Sequence, residues 1–459
     1  MQISLEALRA IVGPAHVLTG NDVHSRSVDW MTGAPCQAGA LVRPANTEQV
    51  AVVMRACYEV QQPVVTHGGL TGLVHGAEAS PDELVISLER LTAIEEIDQV
   101  GGTLTVQAGA PLQRVQEAAR EVGLQFPLDL GARGSCTIGG NIATNAGGVR
   151  VIRYGMMRQQ VLGLEAVMAD GRVVSSMNRM LKNNAGFDLK QLFIGSEGTL
   201  GIVTRAVLRL QPPTPSEQTA MVACPSFEAL TGLLSHMGKA LGGSLGAFEV
   251  MWQNHYRLLT DTLGRHTPPI PTHHPFYVII ESLGSNAERN ANQFSEALES
   301  ALESELVVDA VIAQSHAQRD GLWAVREDIE GLVKGLAPVF TFDVSLPIAD
   351  MQRYTLALET QLTQRWPEAR LVVFGHLGDG NLHISVSTGN DAIEIRREVE
   401  AMVYEPLTAL GGSVSAEHGI GLEKRPWLST CRASAEIELM QTLKQALDPL
   451  NLLNRGKVL

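Results

Sequence analysis

LDLGARGSCTIGGNIATNAGG, Leu128 to Gly148, is the stretch on which the fold turns. Between Gly131 and Gly148 nearly every residue is small, and six are glycine. Such a run cannot fill a core and is too long for a plain turn; long loops inside compact domains are usually functional. It suits a backbone wrapped around a large flat ligand, with Ser135, Thr137, Asn141, Thr144 and Asn145 offering polar contacts. Ile138, Ile142 and Ala143 are apolar anchors, which argues against a merely flexible connection.

Working outward from that run, PVVTHGGLTG (Pro63 to Gly72) reads as a short apolar strand entering a loop with Gly68, Gly69 and Gly72. Bare backbone N–H groups there can cradle a diphosphate. An ordinary turn is equally compatible. The loop is not the Rossmann fingerprint, because its glycine spacing differs and no amphipathic helix follows. Before it, Asn46 and Gln49 have capping-box spacing for a helix to about Val60. Strands are expected at Leu84–Leu88 and Thr103–Gln107, and a helix at Pro111–Glu121. A hairpin follows the glycine run: VLGLEAVMA, then Asp170-Gly171, then RVVS. Ile202 to Leu210 is a further strand, and QPPTP (Gln211 to Pro215) marks a domain boundary.

Beyond the boundary the pattern changes. Strands near Leu245–Val250, Phe276–Leu283, Val307–Ala313, Phe340–Val344 and Leu371–His376 alternate with helices near Phe227–Ala240, Ala287–Ser304, Asp320–Leu336, Ile348–Arg365 and Ile393–Leu410. That predicts a sheet with helices on one face, an α+β cap. On the helix at 320–336, Trp323, Arg326 and Glu330 share a face. Arg326 is suited either to a substrate carboxylate held bidentately or to a salt bridge with Glu330.

FGHLGDGNLH (Phe374 to His383) and AEHGIG (Ala416 to Gly421) hold the chemistry. A hairpin around the Gly-Asp-Gly tip can place His376 near His383. Glu417 would arrive from the second loop. Two imidazoles and a carboxylate are an open divalent-metal set, with Zn or Mn the expected ion. His418 is then placed to act as a base. A single turn histidine is more often a hydrogen-bonded surface residue; two of them with a Glu-His pair point to a site.

The chain has 459 residues, enough for two or three domains, and its apolar content of 45% supports a large core. Lys plus Arg number 35 against 49 Asp plus Glu, a net charge of -14, which argues against nucleic acid or an anionic membrane as partner. Five scattered cysteines without a CxxC pair suit a reducing compartment. The first residues lack a signal-peptide pattern, and no apolar run reaches membrane-spanning length, so a cytoplasmic location is expected.

Together, GSCTIGGNIATNAGG, RYG (Arg153 to Gly155), LKNNAGFDLKQLFIGSEGTLGIVT (Leu181 to Thr204), FDVSLP (Phe342 to Pro347), FGHLGDGNLH and SAEHGIG resemble the FAD-linked oxidase family with the vanillyl-alcohol-oxidase type of flavin domain. Within it they look most like the D-2-hydroxyglutarate and D-lactate dehydrogenase branch. The resemblance covers nearly the whole chain, from RPANTEQV to LNRGKVL. It implies an α+β, two-lobed flavin-binding domain with an α+β substrate cap. The parts would be an N-terminal arm (1–40), an FAD-binding domain (41–213), a cap (214–410) and a segment returning to the FAD domain (411–459).

The resemblance further implies FAD held by Thr66, His67, Gly68, Gly69, Leu70, Thr71 and Gly72 at the pyrophosphate. Along the flavin and ribityl chain it implies Leu130, Gly134, Ser135, Thr137, Ile138, Gly139, Gly140, Asn141, Ala143, Thr144, Asn145, Gly147 and Gly148. Glu197, Ile202 and Asn454 complete the set. His376, His383 and Glu417 would match the metal ligands, His418 the catalytic base and Arg326 the substrate-carboxylate arginine. Non-covalent flavin is expected, because the loop where some relatives carry a flavin-linked histidine reads Gly68-Gly69-Leu70 here.

The implied reaction is oxidation of a D-2-hydroxy acid to a 2-oxo acid by hydride transfer to flavin. Electrons would pass on to a quinone, an electron-transfer flavoprotein or a cytochrome; a homodimer is the assembly to test. Members specific for 2-hydroxyglutarate carry Lys, Thr and Asn where this chain has Thr341, Glu330 and Ser385. A buried Glu330 would repel a second carboxylate, so a neutral-tailed acid such as D-lactate is expected to match or exceed D-2-hydroxyglutarate. A zinc hydrolase, or a non-enzymatic flavin or metal-binding module, is the competing reading.

Overall fold

The computed structural model describes residues 1–29 and 32–459. Positions 30 and 31, part of the expected arm, lie outside the described residues. The chain forms two compact units. The first comprises Met1–Gly148, Tyr154–Pro213 and Glu417–Leu459; the second comprises Val149–Arg153 and Thr214–Ala416. The change of unit at Pro213 falls within the Pro-rich stretch.

The first unit opens with α1 (Leu5–Val12) and β1 (Val17–Leu18). Leu8, Val12 and Val17 join its apolar core. Then come β2 (Ala40–Val42), α2 (Thr47–Glu59), β3 (Val64–His67) and β4 (Leu84–Ser87). They make a sheet in the order β1-β2-β4-β3, with β4 parallel to β2 and β3. The residues of β4 are all buried, as a short apolar run in a covered parallel sheet should be. Asn46 caps α2 by accepting from the Gln49 N–H at 2.9 Å, while the Gln49 side chain reaches back to the Ala45 N–H at 2.8 Å.

A second sheet is antiparallel. Its strands are β5 (Ile94–Asp98), β6 (Thr103–Gln107), β7 (Val161–Val167), β8 (Val173–Ser176) and β9 (Ile202–Arg209), in the order β5-β6-β9-β7-β8. Between β6 and β7 lie α3 (Leu112–Glu121) and a short α4 (Ile138–Ala143) inside the glycine run. Both sheets share one core, since Val42, Ile86, Leu104, Val106, Ala206 and Leu208 fall in a single apolar cluster.

The second unit is built on a seven-stranded antiparallel sheet among the described residues. Its elements in chain order are β10 (Ser216–Cys224), α5 (Phe227–Leu241), β11 (Leu245–Trp252), α6 (Gln253–Arg257), β12 (Phe276–Gly284), α7 (Ala287–Glu303) and β13 (Asp309–Ile312). Then follow α8 (His316–Glu327), α9 (Ile329–Leu336), β14 (Phe340–Ser345), α10 (Met351–Arg365), β15 (Arg370–His376), β16 (Asn381–Ser387) and α11 (Ile393–Leu410). The strand order is β13-β10-β12-β11-β15-β16-β14.

Both faces of this sheet are covered, which corrects the expectation of helices on one face only. Residues 276 to 283 of β12 are all buried. Phe227 of α5 packs its ring on Phe276 at 5.9 Å and on Trp252 at 6.3 Å. Side chains alternate along a strand. So Tyr277 and Ile279 turn the other way, into a cluster with Met221, Met251 and Phe374 of the sheet and Trp323, Val325 and Leu332 of α8 and α9. An unbroken apolar strand carries no period that would reveal two covered faces.

The single helix expected at 320–336 is two helices. Asp328 ends α8 and caps α9, accepting from the Gly331 N–H at 2.9 Å. Arg265, above all, holds the Asp328 carboxyl below its ordinary range, with His266 adding to it. Finally α12 (Ser434–Leu447) belongs to the first unit.

Candidate functional site

In the first unit, the loop after β3 lies against the glycine run more closely than side chains allow. A Cβ on Gly69 would meet the Ser135 carbonyl oxygen at 2.2 Å, and one on Gly68 would meet Thr137 Oγ1 at 2.7 Å. Gly69 is demanded by backbone packed on backbone, and Gly68 by the Thr137 hydroxyl against it. Beside them opens a cleft of about 440 Å³. Thr66, Gly68, Gly139, Gly140, Ala143, Glu197, Ile202 and Asn454 line it, all of them expected from the sequence. Leu88, Phe193, Gly198, Gly201 and Val203 also line it and were not singled out. Four of those five sit inside the FIGSEGTLGIV stretch, so the signal was present; Leu88 gave none beyond ending a strand.

The tail knits this cleft together. Asn454 donates its N–H to the Val64 carbonyl at 2.9 Å. Its Oδ1 accepts from the Thr66 N–H at 3.0 Å, and its Nδ2 donates to the Glu197 carbonyl at 2.6 Å. Glu197 Oε1 and Oε2 accept from the Ile420 and Gly421 N–H groups at 2.7 and 2.8 Å. Burial pushes the Glu197 carboxyl up, against those two donors and the nearby Lys424 and Lys457. Leu70, Asn145, Glu197 and Asn454 all hold positive φ, of 56°, 49°, 52° and 43°. Such strain collects at functional sites. Thr66 Oγ1 is buried without a hydrogen-bond partner among the described residues. An orphaned hydroxyl in a glycine-lined cleft fits a polar ligand such as a cofactor phosphate or ribityl chain.

Several expected side chains are engaged internally. His67 Nε2 meets the Ala77 carbonyl at 2.8 Å, and burial takes the ring down to about 4, so it is neutral. Thr144 Oγ1 donates to the Gly140 carbonyl at 3.1 Å, and Asn145 Oδ1 accepts from the Arg158 N–H at 2.9 Å. Thr137 caps α4, Asn141 approaches Cys136 Sγ at 3.6 Å, and Ile138 is wholly inside the core. The run therefore offers its backbone more than its side chains. Leu130, Thr71, Gly72, Gly134, Ser135 and Gly147 lie along the same two loops outside the cleft lining. Gly148, at the end of the run, donates its N–H to Glu417 Oε1 at 3.0 Å. Glu417 thus begins the third segment of the first unit, followed by the half-buried His418.

In the second unit, strand register assembles the histidines. Phe374 stands opposite His383 across β15 and β16, and His376 stands opposite Glu249 across β15 and β11. The two imidazoles lie 5.2 Å apart, nearly perpendicular, and Asp343 Oδ1 is 3.9 Å from His383 Nδ1. The turn between them uses one left-handed glycine, Gly380 at φ 85°. Asp343 also accepts from the Ala416 N–H at 3.1 Å, which fixes the last residue of this unit.

Arg326 does not pair with Glu330. Its Nη2 donates to Glu249 Oε2 at 2.9 Å, and its guanidinium covers the Phe374 ring at 4.5 Å. Its Nε is buried without a hydrogen-bond partner among the described residues. Glu249 Oε1 accepts a hydrogen bond from His376 Nδ1 at 2.7 Å. Burial alone would raise the Glu249 carboxyl, but His376 and Arg326 outweigh it and hold it below its ordinary value. Glu249 was missed; a lone acid inside the apolar strand LGAFEVMW was the available signal. Trp323, one turn before Arg326, donates its Nε1 to buried Glu281 at 3.2 Å, and so fixes α8 on the sheet.

Glu330 is not buried. It is exposed and pairs with Lys334, so it brings no anion to the cluster. The break at Asp328 is what turns it away. Thr341 is exposed on β14, opposite the buried Ser385 of β16.

Two family models match the chain: one for the C-terminal domain of FAD linked oxidases over residues 214–458, and one for an FAD binding domain over residues 38–176. Among sequence relatives is the mitochondrial D-2-hydroxyglutarate dehydrogenase of Bos taurus, 40% identical, covering 99% of this chain and 83% of that protein. Another is the D-2-hydroxyglutarate dehydrogenase of Xanthomonas citri pv. viticola, 40% identical, covering 100% and 96%. A putative mitochondrial D-lactate dehydrogenase of Schizosaccharomyces pombe is 37% identical, covering 93% and 83%. Among solved structures, p-cresol methylhydroxylase with substrate bound superposes with a TM-score of 0.77 at 15% identity, over 99% of this chain and 95% of that one. Alkyldihydroxyacetonephosphate synthase does so with a TM-score of 0.75 at 16% identity, over 98% and 85%. At such identities the likeness speaks for the fold alone: the two-lobed α+β architecture of vanillyl-alcohol-oxidase-type flavoproteins.

Proposed function

The chain belongs to the FAD-linked oxidase family, and from that premise we propose that this FAD-dependent oxidoreductase oxidises a D-2-hydroxy acid to the 2-oxo acid with the help of a divalent metal. The observation that carries the proposal is Arg326: a buried guanidinium whose Nε has no partner among the described residues, tied through one carboxylate to an imidazole of the histidine pair. A buried donor left open is costly unless a ligand completes it, and a substrate carboxylate does so.

FAD, when bound in the first unit, supplies the hydride acceptor. A Zn or Mn ion, when bound, supplies a Lewis acid toward the hydroxyl oxygen. We assign its ligands to His376, His383 and Glu417; two nitrogens and a carboxylate suit either ion. Arg326 orients the substrate through its carboxylate, a pre-organised hold that lowers the entropic barrier. His418 takes the hydroxyl proton as general base. The flavin is held non-covalently, since Gly68 and Gly69 offer no attaching side chain. A quinone, an electron-transfer flavoprotein or a cytochrome receives the electrons. A zinc hydrolase would leave the cleft and the orphaned Thr66 hydroxyl without purpose, and a non-enzymatic flavin-binding module would not bleach with a hydroxy acid.

We take D-2-hydroxyglutarate as the leading substrate. Two relatives bear that name, and Glu330, which would have opposed the second carboxylate, is exposed and paired with Lys334. D-lactate stays as the second reading, because Thr341 and Ser385 offer no cation and one relative is named for that acid. No helix among the described residues is long and apolar enough to cross a membrane. Five free thiols agree with a cytoplasmic setting, although the bovine relative is named mitochondrial. The protein should purify yellow, release its flavin on acid precipitation, and bleach under anaerobic D-2-hydroxyglutarate or D-lactate. Flavin bands that neither acid bleaches would overturn this assignment, and steady-state kinetics on the two acids ranks them.

A further inference from the structure

The geometry points to Glu249 as a positioning residue that couples the metal-binding imidazole to the substrate-binding guanidinium. This inference rests on the ligand and arginine roles proposed above. Glu249 sits in the interior of β11, wholly buried, and its register partner on β15 is His376. One oxygen engages His376 Nδ1 at 2.7 Å and the other engages Arg326 Nη2 at 2.9 Å. A carboxylate between two donors can only accept. His376 must therefore carry its proton on Nδ1, and Nε2 is the nitrogen presented to a metal. A carboxylate behind a ligating imidazole fixes the tautomer and raises the ligand's basicity.

The same carboxylate takes one Nη2 hydrogen of Arg326 and leaves the buried Nε–H of the fork unmatched. Phe374 closes the arrangement from below, with its ring 4.5 Å under the guanidinium. One rigid acid thus sets two distances at once: the reach of the imidazole and the reach of the arginine. Neither group can shift without moving the other. An amide side chain at 249 keeps the shape and removes the charge that couples the two.

The test is metal affinity, measured apart from turnover. Flavin-loaded protein is stripped of metal and titrated with zinc ion against a chromophoric chelator. Glu249→Gln keeps the shape but not the charge; its zinc affinity should fall roughly 10- to 100-fold, as loss of an outer-shell partner does, with FAD content unchanged. Glu249→Asp, one methylene shorter, cannot reach both partners and should fall between. Binding by the Gln variant within twofold of the parent would overturn the inference. If that variant does not fold, the Asp variant decides, and parent-like affinity there overturns it equally. A parent protein that binds no zinc would instead refute the metal reading itself, so the two failures are told apart.

Discussion

His255 is wholly enclosed beside Phe374, 4.7 Å from ring to ring, and neither ring nitrogen has a hydrogen-bond partner among the described residues. Burial first, and then the charge of Arg326, takes its pKa down to about 3. Between the ordinary value of 6.5 and that figure, the unfolded chain binds a proton that the folded chain refuses. Stability is therefore full above pH 6.5 and is lost as pH falls toward 3. His255→Phe keeps the ring and removes two unsatisfied buried atoms, each costing about 1–3 kcal/mol. We expect equal or greater stability at pH 7 and a shallower decline toward pH 4.5, read by chemical denaturation. A variant clearly weaker at pH 7 with an unchanged acid slope would defeat this account. Sequence motifs marked His376, His383 and Arg326 because each stands in or near a turn or a helix face with a readable spacing. Glu249 offered only the mark of a lone acid in an apolar strand, and His255 was hidden in the polar stretch QNHYR, where nothing local signals burial.

The elements were legible where local chemistry decides them. The cap at Asn46, the Asp170-Gly171 hairpin and the helices and strands expected from Phe227 onward follow from short-range rules, whereas β10 was not read. The break at Asp328 was not, because EDIEG keeps helix-forming residues on both sides and the interruption comes from Arg265 and His266, more than sixty positions away. Close contact between the two glycine loops also depends on distant partners. Gly69→Ala tests it. Its Cβ would lie 2.2 Å from the Ser135 oxygen, so one loop must withdraw. Overpacking of this kind costs about 1–3 kcal/mol, or roughly 5- to 150-fold in a coupled equilibrium. The variant should purify with little bound FAD and bind added FAD correspondingly more weakly, by flavin fluorescence. Parent-like FAD affinity would show that the contact is incidental to the cofactor.

At the scale of the whole chain, the cleft is lined by the first unit alone, whereas His376, His383, Arg326 and Glu249 all belong to the second. Chelation should therefore abolish turnover while the flavin spectrum persists, and added zinc or manganese should restore the rate. Full activity in metal-free protein would exclude the metal from the reaction. The Pro-rich boundary was visible in the sequence; the short excursion of Val149–Arg153 into the second unit was not, because five residues carry no compositional mark. Arg153 secures that excursion by donating to the Leu283 carbonyl at 2.5 Å. The hold of Asn454 on Thr66 spans 388 positions. At a synthesis rate of about 5–20 residues per second, Thr66 leaves the ribosome roughly 20–80 s before its partner exists. The second unit, drawn from Val149–Arg153 and the stretch from Thr214 to Ala416, has all its residues translated earlier. During birth, then, the second unit can ripen first, and the first must wait for Asn454 before it can close.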